Sequence, residues 1–259
     1  MSPAAGAGQI DSDAALVGVM GTMRPETLQA VLAAGPERAT PWLLAAAECG
    51  LVEAQLCLGR MRLDGQGGPR DPARAFAWFT RAAEADNPDA CNMLGRCHEH
   101  GWGTPVDVAA AAIWYGRAAE AGDAWAQYNL GHLYLNGDGV RRDAGRALAW
   151  YRRAADQGHA RAMNLVGRCH EQGWGVPPDP IAASDWYRRS AEGGYFRGQF
   201  NHASLLVAEG RIAEALGWFS QALEAAPDGS RRTMAEALAG SSRAELRRLA
   251  SSASPTPAS

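Results

Sequence analysis

A strict spacing of 36 residues constrains this chain more than any other feature of its sequence. An alanine returns at that interval, at Ala54, Ala90, Ala126 and Ala162. Reading forward from each alanine, the same offsets carry Leu-Gly or Val-Gly, a Gly-x-Gly loop, an aspartate, and a tryptophan followed by tyrosine or phenylalanine. A unit this short cannot bury an apolar face alone, so it stacks on copies of itself and the spacing predicts a solenoid.

Each unit is predicted to be two antiparallel helices, here called helix A and helix B. In the third unit, Ala126 and Leu130 recur at helical spacing and define helix A. Gly137 stops that helix, because glycine reaches left-handed backbone conformations without a Cβ penalty. Asp143 is placed to cap helix B, where alanines and Tyr151 share one face. The chain is therefore predicted to be all-α, a right-handed α/α superhelix of stacked helix-turn-helix repeats.

The order of residues in a unit resembles a known family. It reads Ala-x3-Leu-Gly-x2-Tyr-x2-Gly-x-Gly-Val-x3-Asp-x3-Ala-x2-Trp-Tyr-x2-Ala-Ala, and residues 126–155 match it almost without departure. Units of this form are similar to Sel-one-like repeats, and the final, shorter unit is similar to a tetratricopeptide repeat. The resemblance implies a non-catalytic adaptor for a protein partner, with a bacterial regulatory or assembly role, and it does not name that partner.

The regularity of the pattern divides the chain. Around Trp42 one helix B precedes the first full unit, and the unit after residue 197 lacks the four residues of the glycine loop. The predicted segments are a partly disordered N-terminal segment (1–24), a degenerate repeat whose first helix covers 25–34 (25–53), four Sel-one-like repeats (54–197), a tetratricopeptide-like repeat (198–230), one or two capping helices (231–250) and a disordered Ser/Pro/Ala-rich tail (251–259).

Composition limits the classes of partner. All 25 basic residues are arginine, which excludes lysine Schiff-base chemistry and a phosphate-loop lysine. The net charge is −3 and the arginines are dispersed, so we expect no nucleic-acid partner. No run approaches the roughly 18 apolar residues of a membrane span, and no secretory signal is evident. A cytoplasmic protein without membrane contact is the expectation.

Five cysteines raise an alternative function. The resemblance includes a secreted, cysteine-rich branch similar to penicillin-binding hydrolases, with disulfides between helix B of one unit and helix A of the next. Cys49 and Cys57 have that branch's seven intervening residues, but Cys49 lies two positions later in its helix. The position of the branch's cysteine is alanine in the other units, at Ala83, Ala119, Ala155 and Ala191, so free thiols are expected. Thiol counting on the denatured protein separates the two functions, because the hydrolase requires oxidised pairs.

The run Cys97-His98-Glu99-His100 has the residue types of a metal site but not its geometry. Consecutive helical residues point about 100° apart, so only Cys97 and His100 share a face. The related run beginning at Cys169 lies two units away, too far to complete a tetrahedral site. No catalytic signature stands out either. We therefore expect no metal, no cofactor, no catalytic residues and no enzymatic activity.

A partner groove is predicted on helix A. In tetratricopeptide relatives the ligand-facing positions lie there, on the concave surface, and the matching offset and the turn before it carry Arg60, Asn92, Arg96, Tyr128, His132, Asn164 and Arg168. Guanidinium groups flanked by amides suit an extended acidic segment or a C-terminal carboxylate of another protein or peptide. The alternative is that Arg96 and Arg168 pair within their helices with Glu99 and Glu171, three residues further on.

Two loop tryptophans are candidate edge anchors for the same partner. Trp102 and Trp174 lie between the two glycines of their loops, where the first and third units have Gln66 and Asp138. Either each ring packs on the neighbouring loop, or the two rings are exposed contacts on one edge of the solenoid.

Overall fold

The computed structural model describes residue 33 and residues 35–253, and within them the chain is entirely helical, without a β-strand. The predicted segment 1–24, most of the predicted helix 25–34 and residues 254–259 lie outside the described residues. The described helices are α1 (Pro36–Glu48), α2 (Val52–Asp64), α3 (Pro72–Ala83), α4 (Pro88–His100), α5 (Val108–Glu120), α6 (Ala124–Asn136), α7 (Ala144–Asp156), α8 (Ala160–Gln172), α9 (Pro180–Glu192), α10 (Phe196–Ala208), α11 (Ile212–Ala225), α12 (Asp228–Ala239) and α13 (Ala244–Ala253).

Helix ends in the four full repeats are set by the residues that recur there. Helix A, which is α2, α4, α6 and α8 in turn, is followed by a left-handed glycine such as Gly137, with φ 88°. Helix B, which is α3, α5, α7 and α9, begins after an aspartate whose side chain accepts a hydrogen bond from a first-turn amide. The N–H of Arg146 donates to Asp143 Oδ1 at 2.9 Å, which confirms the predicted cap. Asp71, Asp107 and Asp179 do the same.

The Leu-Gly pair of helix A and the aromatic residue of helix B are two halves of one contact. A Cβ at Gly131 would lie 2.5 Å from Cε1 of Tyr151, so only glycine lets the ring pack flat on helix A. The same pairing joins glycine and ring in the other three repeats: Gly59 with Phe79, Gly95 with Tyr115 and Gly167 with Tyr187. All four rings are fully buried. This contact explains why these two positions recur together in the sequence.

The second glycine of the loop joins one repeat to the previous helix B. In the third repeat Gly139 has φ 66° and touches the first turn of α5, where a Cβ would overlap the carbonyl group of Val108. Gly103 and Gly175 occupy the same place against Pro72 and Ala144. The loop is thus a packing element as well as a turn.

The contacts divide the chain into two compact units. One unit runs up to Ala126 and includes Asp138–Val140; the other comprises Gln127–Gly137 and continues from Arg141. In the first, each of α1 to α4 contacts the next helix; in the second, α7 to α13 do so in the same order. Helices of successive repeats thus stack along the sequence, and the chain is an all-α solenoid.

The C-terminal part of the second unit has its own core. Leu206, Phe219, Leu223, Met234 and Leu246 form one buried cluster that joins α10 to α13. The predicted capping segment is therefore two helices, α12 and α13, of which α12 lies in the place of a further helix A after α10 and α11. The last three residues of α13, 251–253, belong to the segment for which a disordered tail is predicted.

Candidate partner-binding site

The seven residues predicted to line a groove all lie on helix A, but they fall into both compact units. The structure places Arg60 on α2, and Asn92 and Arg96 on α4, in the first unit. Tyr128 and His132 on α6, and Asn164 and Arg168 on α8, belong to the second unit. The two groups therefore have different surroundings.

In the first unit the arginines are held by neighbours. A small pocket of about 320 Å³ is lined by Arg60, Arg70, Arg96 and Trp102, among others. The Arg60 guanidinium lies 3.5 Å from Asp89, and Arg70 donates a hydrogen bond to a main-chain carbonyl of α2 at 2.9 Å. Arg96 stacks on Trp102 with its guanidinium carbon 4.9 Å from the ring centroid. Asn92 is buried below this surface.

In the second unit all four predicted residues line one larger groove, here called the arginine groove. Its volume is about 810 Å³, and it runs across α6, α8, α10 and α12. Its lining is formed by Tyr128, His132, Arg161, Asn164, Leu165, Arg168, Tyr195, Arg197, Phe200, Asn201, Pro227, Gly229, Ser230, Thr233, Met234 and Ala237.

The charged side chains that line the arginine groove are all positive. Arg161, Arg168 and Arg197 are exposed, and the lining contains no aspartate or glutamate. Within the described residues, Arg168 forms no ion pair with Glu171, because that carboxylate accepts a hydrogen bond from Tyr187 at 2.9 Å. Exposed guanidinium groups without a carboxylate among them create a positive surface that attracts anions.

The second glutamate proposed as an intrahelical partner is used in the same way. Glu99 Oε2 accepts a hydrogen bond from the hydroxyl of Tyr115 at 2.6 Å, and Arg96 stacks on Trp102 instead. Each glutamate therefore accepts a hydrogen bond from the tyrosine on helix B of its own repeat, and within the described residues neither forms an ion pair with the arginine one turn earlier.

Amides and aromatic rings form the remainder of the arginine groove. Asn201 donates a hydrogen bond to the buried Asn164 through Nδ2 at 2.8 Å, which links α10 to α8. The rings of Tyr128 and His132 meet edge to face with centroids 4.6 Å apart. Such side chains present both hydrogen-bonding groups and flat apolar surface to a bound chain.

Four side chains cluster at one edge of the arginine groove. Burial raises the pKa of Tyr128, and the nearby Tyr195 phenol adds to the rise, while the guanidinium groups of Arg161 and Arg197 act against it. The guanidinium carbon of Arg161 lies 5.6 Å from the centroid of the Tyr195 ring. Two phenols and two arginines therefore face one another across α6, α8 and α10.

Both loop tryptophans are half-buried, and each lies under an arginine of its own repeat. Trp102 contacts Arg96 and has its ring centroid 4.8 Å from that of His100. Trp174 lies under Arg168 at 5.1 Å. The contacts of these rings are thus with helix A of the same repeat, and neither residue lines the arginine groove.

Sequence reasoning missed Arg161, Tyr195, Arg197 and Asn201, together with the whole contribution of α12. One signal was present: Arg161 and Arg197 are 36 residues apart, each directly before the small residue that starts its unit. The role of α12 had no such signal, because its sequence does not carry the repeat pattern.

The cysteines and histidines are the side chains that thiol or metal chemistry would use. All five cysteines are free thiols, and burial raises the pKa of Cys97 to about 12 and that of Cys169 to about 11, which disfavours the reactive thiolate. Within the described residues no group of three His, Cys, Asp or Glu side chains is placed to hold a metal ion. In the same part of the chain, every helix is too short or too polar to span a bilayer.

Comparison with solved structures shows the same architecture. A Sel1 repeat protein from Oxalobacter formigenes is 28% identical, with a TM-score of 0.76 over 88% of this chain and 98% of its own. A protective antigen of uropathogenic Escherichia coli with an SLR fold is also 28% identical, with a TM-score of 0.67. That match covers 84% of this chain but 48% of the antigen, so this chain spans about half the antigen's length.

A more distant likeness concerns the fold alone. An immunity protein from Pseudomonas aeruginosa is 15% identical, with a TM-score of 0.52 over 78% of this chain and 79% of its own. Among curated protein sequences, none matches this chain at a significant level.

The family model for the Sel1 repeat matches four consecutive segments, residues 52–87, 88–123, 126–159 and 160–195. Together they cover more than half of the chain. Sel1 repeat proteins are generally non-catalytic scaffolds for protein–protein interaction. With four matched repeats and the shared helical-hairpin architecture, this chain belongs to the Sel1 repeat family.

Proposed function

We propose that this chain is a non-catalytic scaffold that binds an extended, acidic segment of another protein in the arginine groove. The observation that supports this most directly is the positive charge of the groove, whose lining has three arginines and no carboxylate. Arginine binds carboxylates through two parallel hydrogen bonds, so an acidic segment is the complementary ligand.

The remaining groups of the groove suit the main chain of such a segment. The amides of Asn164 and Asn201 are linked to each other, and each retains hydrogen-bonding capacity for a peptide group. Tyr128 and Phe200 supply flat apolar surface beside them. An extended chain would thus be held by its backbone, and Arg168 would meet its acidic side chains.

We further propose that the scaffold acts as an adaptor in a bacterial regulatory or assembly complex in the cytoplasm. The likeness to the Sel1 repeat protein of Oxalobacter formigenes supports a bacterial setting. The partner segment, which can also be a C-terminal one, is recognised here by its negative charge.

Charge reversal tests this proposal. The double substitution Arg168→Glu/Arg197→Glu, which reverses two charges of the groove, should abolish capture of the partner that the wild-type chain enriches, measured by affinity pull-down and mass spectrometry in moderate salt. A matched control is Arg81→Glu/Arg153→Glu, because these exposed arginines also stack on aromatic rings, Trp78 and Trp150, but on helix B. The control variant should retain the partner.

Stability must be followed in parallel. Each substitution removes one contact between an exposed arginine and an aromatic ring, worth about 0.5–1 kcal/mol, so both double variants should melt within a few degrees of the wild type. Capture of the partner at wild-type levels by Arg168→Glu/Arg197→Glu would refute the groove as the binding site. Equal loss in both double variants would refute it as well, by showing a general charge effect.

A further inference from the structure

The edge of the arginine groove near the start of α8 and α10 carries more positive charge than helix stability favours. Arg161 and Arg197 are the second residues of their helices, where the exposed amides already give the helix end a partial positive charge. A cation in this first turn is unfavourable for the helix, and the repeat places one in both. An anion at this edge would offset both effects.

The donors at this edge converge. The guanidinium carbon of Arg161 lies 5.6 Å from the centroid of the Tyr195 ring, and Arg197 and Tyr195 both lie close enough to Tyr128 to influence the charge of its phenol. Each guanidinium offers several N–H donors in a planar fork, and each phenol adds one O–H donor. All four side chains line the same groove, and no carboxylate lies among them.

We propose that Arg161, Arg197, Tyr128 and Tyr195 form a single site for an oxyanion carried by the bound segment, here called the arginine–tyrosine site. This inference rests on the proposed function and adds a position-specific requirement to it. Arg168 and the amides hold the segment, and the arginine–tyrosine site determines where along the segment a negative group must lie. The oxyanion is either the carboxylate of an acidic residue or the phosphate of a phosphorylated one, because both present oxygens to guanidinium and phenol donors.

A peptide array tests the site on the full chain. Short random peptides are synthesised in three versions that differ at one fixed position, which is serine, glutamate or phosphoserine. Wild-type protein should bind the glutamate or phosphoserine versions at least about tenfold more tightly than the serine versions, as expected for charge-assisted hydrogen bonds. Tighter binding of phosphoserine than of glutamate identifies phosphate as the source of the oxyanion, and the reverse identifies a carboxylate.

Variants then assign the preference to these residues. Arg161→Gln/Arg197→Gln should bind the three versions with equal affinity, while the serine versions keep their wild-type affinity. The matched control, Arg153→Gln/Arg189→Gln, removes one exposed and one half-buried charge of the same unit, which stack on Trp150 and Trp186 on helix B. It should keep the wild-type preference.

The phenols have a smaller expected contribution. Tyr128→Phe/Tyr195→Phe should reduce the preference for the negatively charged peptides by about threefold to tenfold. A phenol is an uncharged donor, so each lost hydrogen bond contributes less than one from a guanidinium group. An unchanged preference in this variant would remove the phenols from the site.

Failure of the site and failure of the proposed function give different results. If the wild type binds the array but treats the three versions alike, the arginine–tyrosine site is refuted and the scaffold function stands. The site is also refuted if the preference survives in Arg161→Gln/Arg197→Gln, or is lost equally in the control. If no version of any peptide binds, the proposed function is refuted and this inference with it.

Discussion

The second, third and fourth repeats bury the same tyrosine against the same glycine, but they differ in what its hydroxyl contacts. Tyr115 donates to Glu99 at 2.6 Å and Tyr187 donates to Glu171 at 2.9 Å. In the third repeat the hydroxyl of Tyr151 is buried and has no hydrogen-bond partner within the described residues. The glutamate position is Leu135 there.

This difference separates what the repeat requires from what each copy adds. The ring is required because it packs on the glycine of helix A, whereas the hydroxyl depends on one residue sixteen positions earlier. In the first repeat these two positions are Phe79 and Leu63, so there is no buried hydroxyl that needs a hydrogen-bond partner. The third repeat combines tyrosine with leucine, and a buried donor without a partner costs roughly 1–3 kcal/mol.

The unsatisfied hydroxyl lies close to the arginine groove. The Tyr151 ring centroid is 5.5 Å from that of His132 and 6.2 Å from that of Tyr128, and both of these residues line the groove. Departures from a local rule are expected where a surface serves binding. Substitutions can test the features that all repeats share and those that differ between repeats, and they are given in order of expected effect.

The shared glycine–ring contact should tolerate no Cβ. Gly131→Ala and Gly167→Ala each place a methyl group against a fully buried ring, which should destabilise the fold by about 1–3 kcal/mol. Gly217→Ala is the matched control, because its added Cβ meets nothing within 4 Å on α11, and it should stabilise by up to about 1 kcal/mol. Urea denaturation measures all three. If Gly131→Ala behaves like the control, the third repeat lacks the contact described above.

The residue that caps the start of helix A also differs between repeats, and this should make the fourth repeat acid-sensitive. Asn87 and Asp123 cap α4 and α6, whereas α8 is capped by His159, whose Nδ1 accepts a hydrogen bond from the N–H of Ala162 at 3.2 Å. Burial, and then the charge of Arg161, lower the His159 pKa from 6.5 to about 4. The unfolded chain therefore binds a proton at a higher pH than the folded one, and stability is lost as pH falls from 6.5 towards 4.

The expected loss between pH 7.5 and 5 is on the order of 1 kcal/mol, about half of the full linkage value because His159 is partly exposed to solvent. His159→Asn introduces the cap used by α4 and should remove this part of the loss, with stability at pH 7.5 nearly unchanged. Denaturation of both proteins at the two pH values gives the difference. An identical pH dependence in the variant would show that His159 is not the titrating group.

The parts that could be predicted from the sequence are those that recur. The glycine stops, the aspartate caps and the hairpin repeat follow from local backbone physics, and Gly137 and Asp143 have the predicted roles. The glutamate that accepts a hydrogen bond from the tyrosine hydroxyl could not be predicted. It lies sixteen residues before the tyrosine, on the other side of the glycine loop, so the spacing within one helix does not indicate the contact. The arginine groove was predicted in part: Arg168 follows from its offset, but Arg197 enters the groove only through the packing of α10 beside α8.

Removing the hydroxyl should affect the repeats differently. Tyr187→Phe loses a hydrogen bond to a carboxylate and should cost about 1–2 kcal/mol. Tyr151→Phe removes a buried group without a partner and should be neutral or stabilising by up to about 1 kcal/mol. Both rings remain in place, so packing is matched between the two variants. Equal losses in urea denaturation would show that the Tyr151 hydroxyl does have a partner, such as a bound water.

Restoring the missing partner is the subtlest test. Leu135→Glu gives the third repeat the residue that the second and fourth have, at the same distance from its tyrosine along the chain. The new hydrogen bond should contribute about 0.5–1.5 kcal/mol, which the loss of a half-buried leucine partly offsets. The net gain is therefore best isolated by a double-mutant cycle with Tyr151→Phe, in which the glutamate has no hydroxyl to bond. A positive coupling energy between positions 135 and 151 is expected. A coupling near zero would mean that the two side chains do not meet, and that the third repeat differs from its neighbours in more than this one residue.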